Sequence, residues 1–171
     1  MKQQIIVSGL GGQGALTLTR VLAEVAFAGG WEVITSETHG MAQRGGTVIS
    51  MIKVGPFRGP LIPAGAADLG PFLHRESLPV HRFYMKPGGP VFIDASTPGD
   101  YYHIDARGLA AQMGLAPVTV NLILLGYAVG QGALFCGADL LEQVITAITP
   151  TRFWEANLKA LQAGLEAAVD R

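Results

Sequence analysis

Thiols are nearly absent from this 171-residue chain, which holds one cysteine, Cys136. A single cysteine excludes an internal disulfide framework. It also excludes an iron–sulfur cluster held by this chain alone, which needs about four thiolates. Charge is scarce as well, at 15% of residues against about 25% in an ordinary soluble domain. The 12 basic and 13 acidic residues leave a net charge of −1. That balance argues against a nucleic-acid binder, which carries a basic excess or stripe. A hydrophobic fraction of 49% argues against a disordered chain. Several catalytic signatures are missing: no G-x-x-x-x-G-K-[ST] loop, no G-x-S-x-G elbow and no H-E-x-x-H. His74, His81 and His103 are scattered without a cysteine partner, so no metal site is expected.

No charged residue occurs between Gly108 and Ala138, and residues 118–136 are long enough to span a bilayer. Asn121, Gln131 and three glycines interrupt that stretch, and no Lys or Arg anchors its C-terminal end. It reads instead as a helix buried in a core or a subunit interface. The N-terminal Met-Lys-Gln-Gln leads into only a few apolar residues before the glycines begin. No signal peptide is read there, and the cytoplasm is the default location.

The length suits one domain, taken as residues 1–171. Glycine is abundant at 23 residues, nearly twice its usual share of about 7%. With the low charge, this suggests a protein that covers much of its surface against something else.

The pattern predicts an α/β fold with a mostly parallel sheet flanked by helices and a helical C-terminal third. Residues 2–8 read as a strand, 9–14 as a glycine turn, 13–28 as a helix ended by Gly29-Gly30, and 31–36 as a strand. Such a βαβ unit predicts a right-handed crossover and a parallel pair. In its helix, Leu16, Arg20, Ala23 and Phe27 mark one stripe, and Leu18, Leu22 and Val25 widen the buried face. Further strands are predicted at 47–54, 90–95 and 101–105, with a strand ending near 67–70. Residues 56–67 read as a long loop. Residues 71–84 are partly helical, with Pro79 interrupting. An apolar helix covers 118–135. The next runs to about 148, opened by an Asp139–Glu142 capping box. Thr149-Pro150 then opens the last helix, with Trp154, Leu158, Leu161, Leu165 and Val169 on its inner face.

Two glycine-rich segments carry the candidate chemistry. Gly9-Leu10-Gly11-Gly12-Gln13-Gly14 fits G-x-G-x-x-G between a strand and a helix. Its glycines permit a tight turn and close approach, and the helix N-terminus suits an anion. Glu37 follows the second strand, near where an acid can bind a ribose hydroxyl. A bound dinucleotide and pure helix–sheet packing are both compatible with that spacing. The loop from Glu37 to Gly46 sets His39 and Arg44 among small residues. Arg44, before Gly45 and Gly46, suits a phosphate or carboxylate, or is a solvated charge. Glu37 and His39 share strand parity but lack further metal ligands. Cys136 reads as a small buried apolar residue. Asn121, inside the apolar helix, must find partners: in the core, in a loop of this chain or on a second subunit.

The pairing of Gly9–Gly14 with Glu-Thr-His-Gly-Met-Ala-Gln-Arg-Gly-Gly at 37–46 resembles the gamma subunit of 2-oxoacid:ferredoxin (acceptor) oxidoreductases. Residues 60–69, Lys86 to Gly89, Asn121 and residues 157–161 are also similar to that family. The His-Gly-Met-Ala-Gln-Arg-Gly-Gly form is most like the indolepyruvate branch, where the equivalent chain is called beta. The resemblance implies a Rossmann-like domain within a complex that oxidatively decarboxylates a 2-oxoacid to an acyl-CoA. Electrons would pass to ferredoxin or flavodoxin. Thiamine diphosphate, Mg and the iron–sulfur clusters would belong to partner subunits. This chain would have no activity alone, and would shape or cover the site where CoA arrives. The implied ligand or interface residues are Gly9, Gly11, Gly12, Gln13, Gly14, Glu37, His39, Arg44, Gly45, Gly46 and Asn121. A freestanding dinucleotide-binding oxidoreductase and a ligand-free scaffold are the alternatives. A self-dimer of the isolated chain is also expected, since apolar surface meant for a partner tends to find one.

Overall fold

The computed structural model describes residues 1–37 and 46–169. The predicted strand at the N-terminus is β1 (Gln3–Leu10), and the helix after the glycine turn is α1 (Ala15–Ala28). There follow β2 (Val33–Glu37), β3 (Thr47–Val54), β4 (Gly70–Phe72), α2 (Leu78–His81), β5 (Val91–Asp94) and β6 (Tyr102–Ile104). The C-terminal part contains α3 (Ala106–Gln112), α4 (Val120–Gly130), α5 (Ala138–Ile148) and α6 (Trp154–Val169).

Among the described residues the strands form one six-stranded sheet in the order β2-β3-β1-β4-β5-β6. β4, β5 and β6 pair parallel from β1 outward. The expected parallel β1–β2 pair is not formed. β3 lies between them and pairs antiparallel with both. Its register with β1 runs over eight residue pairs, from Gln3↔Val54 to Leu10↔Thr47, and that ladder outcompetes a direct β1–β2 contact. β1 and β2 still run in the same direction, so the sheet is mixed, with β3 alone reversed.

Period-two alternation sends the strand side chains to two separate cores. Ile5 and Val7 join Val48, Ile52 and Phe92 under α1 and α3–α6. Ile6 joins Ile49, Met51, Phe72 and Ile93 on the other face. That second face is covered by Ile62 and Ala67 of the long loop and by Leu78, Tyr84 and Met85 of the turns around α2.

Several expected details change. On α1 the buried face is Ala15, Leu18, Val21, Leu22 and Val25, while Arg20 is exposed and Leu16 and Phe27 are 44% and 76% exposed. The Leu16–Arg20–Phe27 stripe therefore looks outward, and the face expected to widen the buried side, Leu18, Leu22 and Val25, is the one that packs on the sheet. Pro79 does not interrupt a helix but sits in the first turn of α2, where its missing N–H costs nothing. α4 is shorter than predicted and ends at Gly130, followed by Gly132 at φ 71°. No helix among the described residues is long and apolar enough to cross a membrane. α5 has Gly137 at its N-cap position and no side-chain cap, and Asp139 lies inside its first turn instead of capping it. Pro150 precedes a 3-10 turn, Thr151–Phe153, and not α6 itself.

The largest departure is the inner face of α6. Leu161 is buried and Leu165 packs against the core as expected, but the rest of the buried face is Ala160, Gly164 and Ala168, while Trp154 and Val169 are 39% and 80% exposed. The cause lies on α4, where Gly126 meets the α6 backbone directly and Gly130 leaves room only for the Ala168 methyl. A Cβ added to Gly164 would stand 2.6 Å from the Tyr127 amide nitrogen and 3.0 Å from the Gly126 carbonyl carbon. Backbone, not a flexible side chain, blocks it. Gly164→Ala is therefore expected to lose about 1–3 kcal/mol of stability through overpacking. Urea unfolding monitored at the two tryptophans measures this loss, and an unchanged midpoint would rule out the close crossing.

Candidate functional site

The carboxyl ends of β1, β4 and β5 lie side by side. In open α/β sheets this edge is where ligands bind. The glycine turn forms its centre. Gly12 and Gly14 sit at φ 84° and 88°, left-handed positions that an L side chain rarely adopts. Gln13 folds back so that its Oε1 accepts from the Leu10 N–H at 2.7 Å. The Gly11 N–H donates to the Gly46 carbonyl at 3.0 Å, which ties the start of β3 to the turn. Gly9 is bare for a packing reason: a Cβ there would lie 3.0 Å from Leu73 Cβ and 3.0 Å from Gln13 Oε1.

Asn121 closes the turn from the other side. Its Nδ2 donates to the Gly14 carbonyl at 3.2 Å, and the residue is 2% exposed. Of the three placements open to this amide, the structure realises the bond to a loop of this chain. Among the expected site residues, Gly9, Gly11, Gly12, Gln13, Gly14, Gly46 and Asn121 come together. Glu37 does not join them. It pairs with Ser50 of β3, and two inter-strand spacings put it roughly 10 Å across the sheet from β1. The dinucleotide fingerprint needs the acid on the strand next to the glycine turn, and β3 occupies that place. His39, Arg44 and Gly45 lie outside the described residues.

Further groups at this edge escaped the sequence reading. Ser8 Oγ and His81 Nδ1 stand 2.7 Å apart, with Ser8 fully buried. Burial lowers the His81 pKa below its ordinary 6.5. Two strands further on from Ser8, Asp94 ends β5. Its Oδ1 accepts from the N–H groups of Ala106 at 2.9 Å and Arg107 at 3.3 Å, and its Oδ2 meets Arg107 Nε at 3.3 Å. Burial raises the Asp94 pKa, opposed by the Arg107 N–H and guanidinium and the Ala106 N–H. With His74 and Arg75 this pair lines a polar recess of about 210 Å³. An acid at the end of an apolar strand was the available signal for Asp94. Nothing in the sequence linked Ser8 to His81. Cys136 lies half-buried, its thiol pushed up to about 12 by burial, so it is protonated and a poor nucleophile at neutral pH.

Residues 4–167 match the protein family described as pyruvate ferredoxin/flavodoxin oxidoreductase. The indolepyruvate oxidoreductase subunit IorB of Archaeoglobus fulgidus is 31% identical, covering 99% of this chain and 96% of its own. The 2-oxoglutarate synthase subunit KorC of Methanocaldococcus jannaschii is 24% identical over 98% of this chain and 95% of its own. In structure, the gamma subunit of a keto/oxoacid ferredoxin oxidoreductase from Geobacter sulfurreducens superposes with a TM-score of 0.80. It is 25% identical, and the match covers 99% of both chains. A 2-oxoglutarate:ferredoxin oxidoreductase from Magnetococcus marinus, solved with 2-oxoglutarate, coenzyme A and succinyl-CoA, shares the fold with a TM-score of 0.79. At 19% identity this chain matches 31% of that longer one.

Two outcomes follow from the site geometry. Asn121→Ala leaves the Gly14 carbonyl without its side-chain donor and is expected to cost about 1–3 kcal/mol, read by urea denaturation. Because the His81 pKa is depressed in the fold, the unfolded chain takes this proton more readily. Stability from this group is full above about pH 6.5 and is lost as pH falls below it. Unfolding curves at pH 7.5 and 5.5 are expected to show that loss, and His81→Asn to flatten it.

Proposed function

The chain belongs to the pyruvate ferredoxin/flavodoxin oxidoreductase family, and we propose that it is the gamma-type subunit of a thiamine-diphosphate-dependent 2-oxoacid:ferredoxin oxidoreductase. The complex decarboxylates a 2-oxoacid oxidatively to an acyl-CoA in the cytoplasm and passes the electrons to ferredoxin or flavodoxin. The observation that carries this reading is the family match over residues 4–167, together with the 31% identical relative aligned along 99% of the chain. The domain is taken as one gamma-type unit over residues 1–171.

The chemistry of this chain supports a shaping role, with the cofactors on partner subunits. One thiol, held protonated by burial, does not supply the thiolate set of an iron–sulfur cluster. What the chain offers is a rigid, glycine-lined edge at the carboxyl end of β1. In this proposal that edge covers the active site of the assembly, and the turn with Arg44 meets an anionic group of CoA as it enters.

A second reading, a packing module with no ligand at the turn, has one observation in its favour. The turn is held by its own chain at Leu10, Gly46 and Asn121. Purification of the tagged chain from its native cells, with a 2-oxoacid- and CoA-dependent viologen assay, tests the proposal. Large cysteine-rich chains and that activity are expected to co-purify. Arg44→Ala is expected to raise the KM for CoA about tenfold, the scale of one charge-assisted contact, with kcat little changed. Isolation of the chain alone and inactive would overturn the subunit reading. An unchanged KM would leave the packing reading for the turn.

A further inference from the structure

A groove of about 340 Å³ opens between α1 and the α5–α6 corner, beginning beside Asn121. Its floor is apolar, made by Val21, Leu122, Ile145 and Ile148. At its mouth Val118 and Phe153 are 54% and 45% exposed. Leu16, one turn before Arg20 on the outward stripe of α1, is 44% exposed. Apolar side chains of this size gathered round a concave floor mark an interaction surface.

The charge of the groove points one way. Arg20 lines it, and no ion pair engages Arg20 among the described residues. Arg152 stacks on the Phe153 ring, 4.8 Å from its centroid. No acidic side chain lines the groove among the described residues. The nearby Glu155 is engaged by Lys159 at 2.9 Å. Arg20 thus stands over the apolar floor, with Arg152 against the Phe153 ring at its mouth. Asn121 adds a polar anchor. Its Nδ2 faces the Gly14 carbonyl, an obligatory acceptor, and this fixes the amide so that Oδ1 remains to accept a hydrogen bond.

We propose that this groove receives a segment of the large catalytic subunit that presents an aliphatic or aromatic side chain next to an Asp or Glu. The apolar side chain fills the floor, the carboxylate meets Arg20, and a backbone N–H of the segment reaches Asn121. Guanidinium suits such a contact because it grips carboxylates in a planar, two-point geometry. This rests on the subunit reading above and names the face through which it acts. Docking here would also brace the glycine turn, because Asn121 belongs to both.

The test uses the large subunit that co-purifies with this chain, separated and immobilised. The affinity of the full chain is measured for wild type, Arg20→Glu, Phe153→Ala and Phe83→Ala, each with its thermal melt. Arg20, Phe153 and Phe83 are all exposed, so the variants are expected to fold. Arg20→Glu and Phe153→Ala are each expected to weaken Kd by about tenfold or more, as for a central interface residue. Phe83→Ala, at the 3-10 turn after α2, is expected to bind like wild type. Wild-type affinity in both groove variants would overturn the proposal and leave the subunit reading standing. So would an effect of Arg20→Glu confined to self-association, which assigns the groove to a second copy. A raised substrate KM with unchanged assembly assigns it to a small ligand instead and overturns the proposal too. Failure of any large subunit to co-purify removes the subunit reading, and this proposal with it.

Discussion

The close crossing of α4 and α6 sets the position of nearly everything else on the helical face. At Gly126 and Gly164 the two backbones meet without intervening side chains, and at Gly130 only the Ala168 Cβ comes between. Ala160 and Ala168 extend the same thin seam. α4 is thereby held under the sheet, with Ile123, Leu124 and Tyr127 buried in the main core. A helix this apolar has no solvent face of its own. It is stable only where both sides are covered, and the small residues of α6 are what allow the second cover to approach.

That placement reaches the functional edge through one residue. Asn121 sits in the first turn of α4, and its amide lands on the Gly14 carbonyl. The glycine turn is consequently fixed from three sides: by its own Gln13, by Gly46 at the head of β3, and by α4. A buried amide with one satisfied donor in an apolar helix is a strong positional constraint, because any slide of α4 leaves a polar group unpaired. Packing at one end of the molecule therefore determines geometry at the other.

The β1–turn–α1 unit, the span of β3 and the C-terminal helices were legible in the sequence, because each has a clean period or a glycine boundary. The neighbour of β1 was not. A βαβ run looks the same whether its strands touch or leave a gap, and only the eight-residue ladder of β3 fills that gap here. The inner face of α6 was read only in part, at Leu161 and Leu165, for a related reason. Hydrophobic periodicity weights Leu, Trp and Val, whereas this interface selects for missing volume, a property of the α4–α6 pair that neither helix shows alone. At the site, the glycines and Asn121 were legible as residue types that need special surroundings. Ser8 and His81, 73 positions apart, carry no local mark.

The interposed β3 changes what the glycine motif does. In a dinucleotide fold the strand beside β1 brings an acid to the turn, and the two together hold a ribose and a pyrophosphate. Here the neighbouring strand runs the other way and starts at the turn, so what it brings is the Gly46 carbonyl, bonded to the Gly11 N–H. Glu37 and Gly46 are the fixed ends of the segment between β2 and β3. One lies on the sheet two strands out, and the other is fastened to the turn itself. The first glycine motif is therefore tied to the head of β3. That bond accounts for a glycine turn that spends a backbone N–H on its own chain.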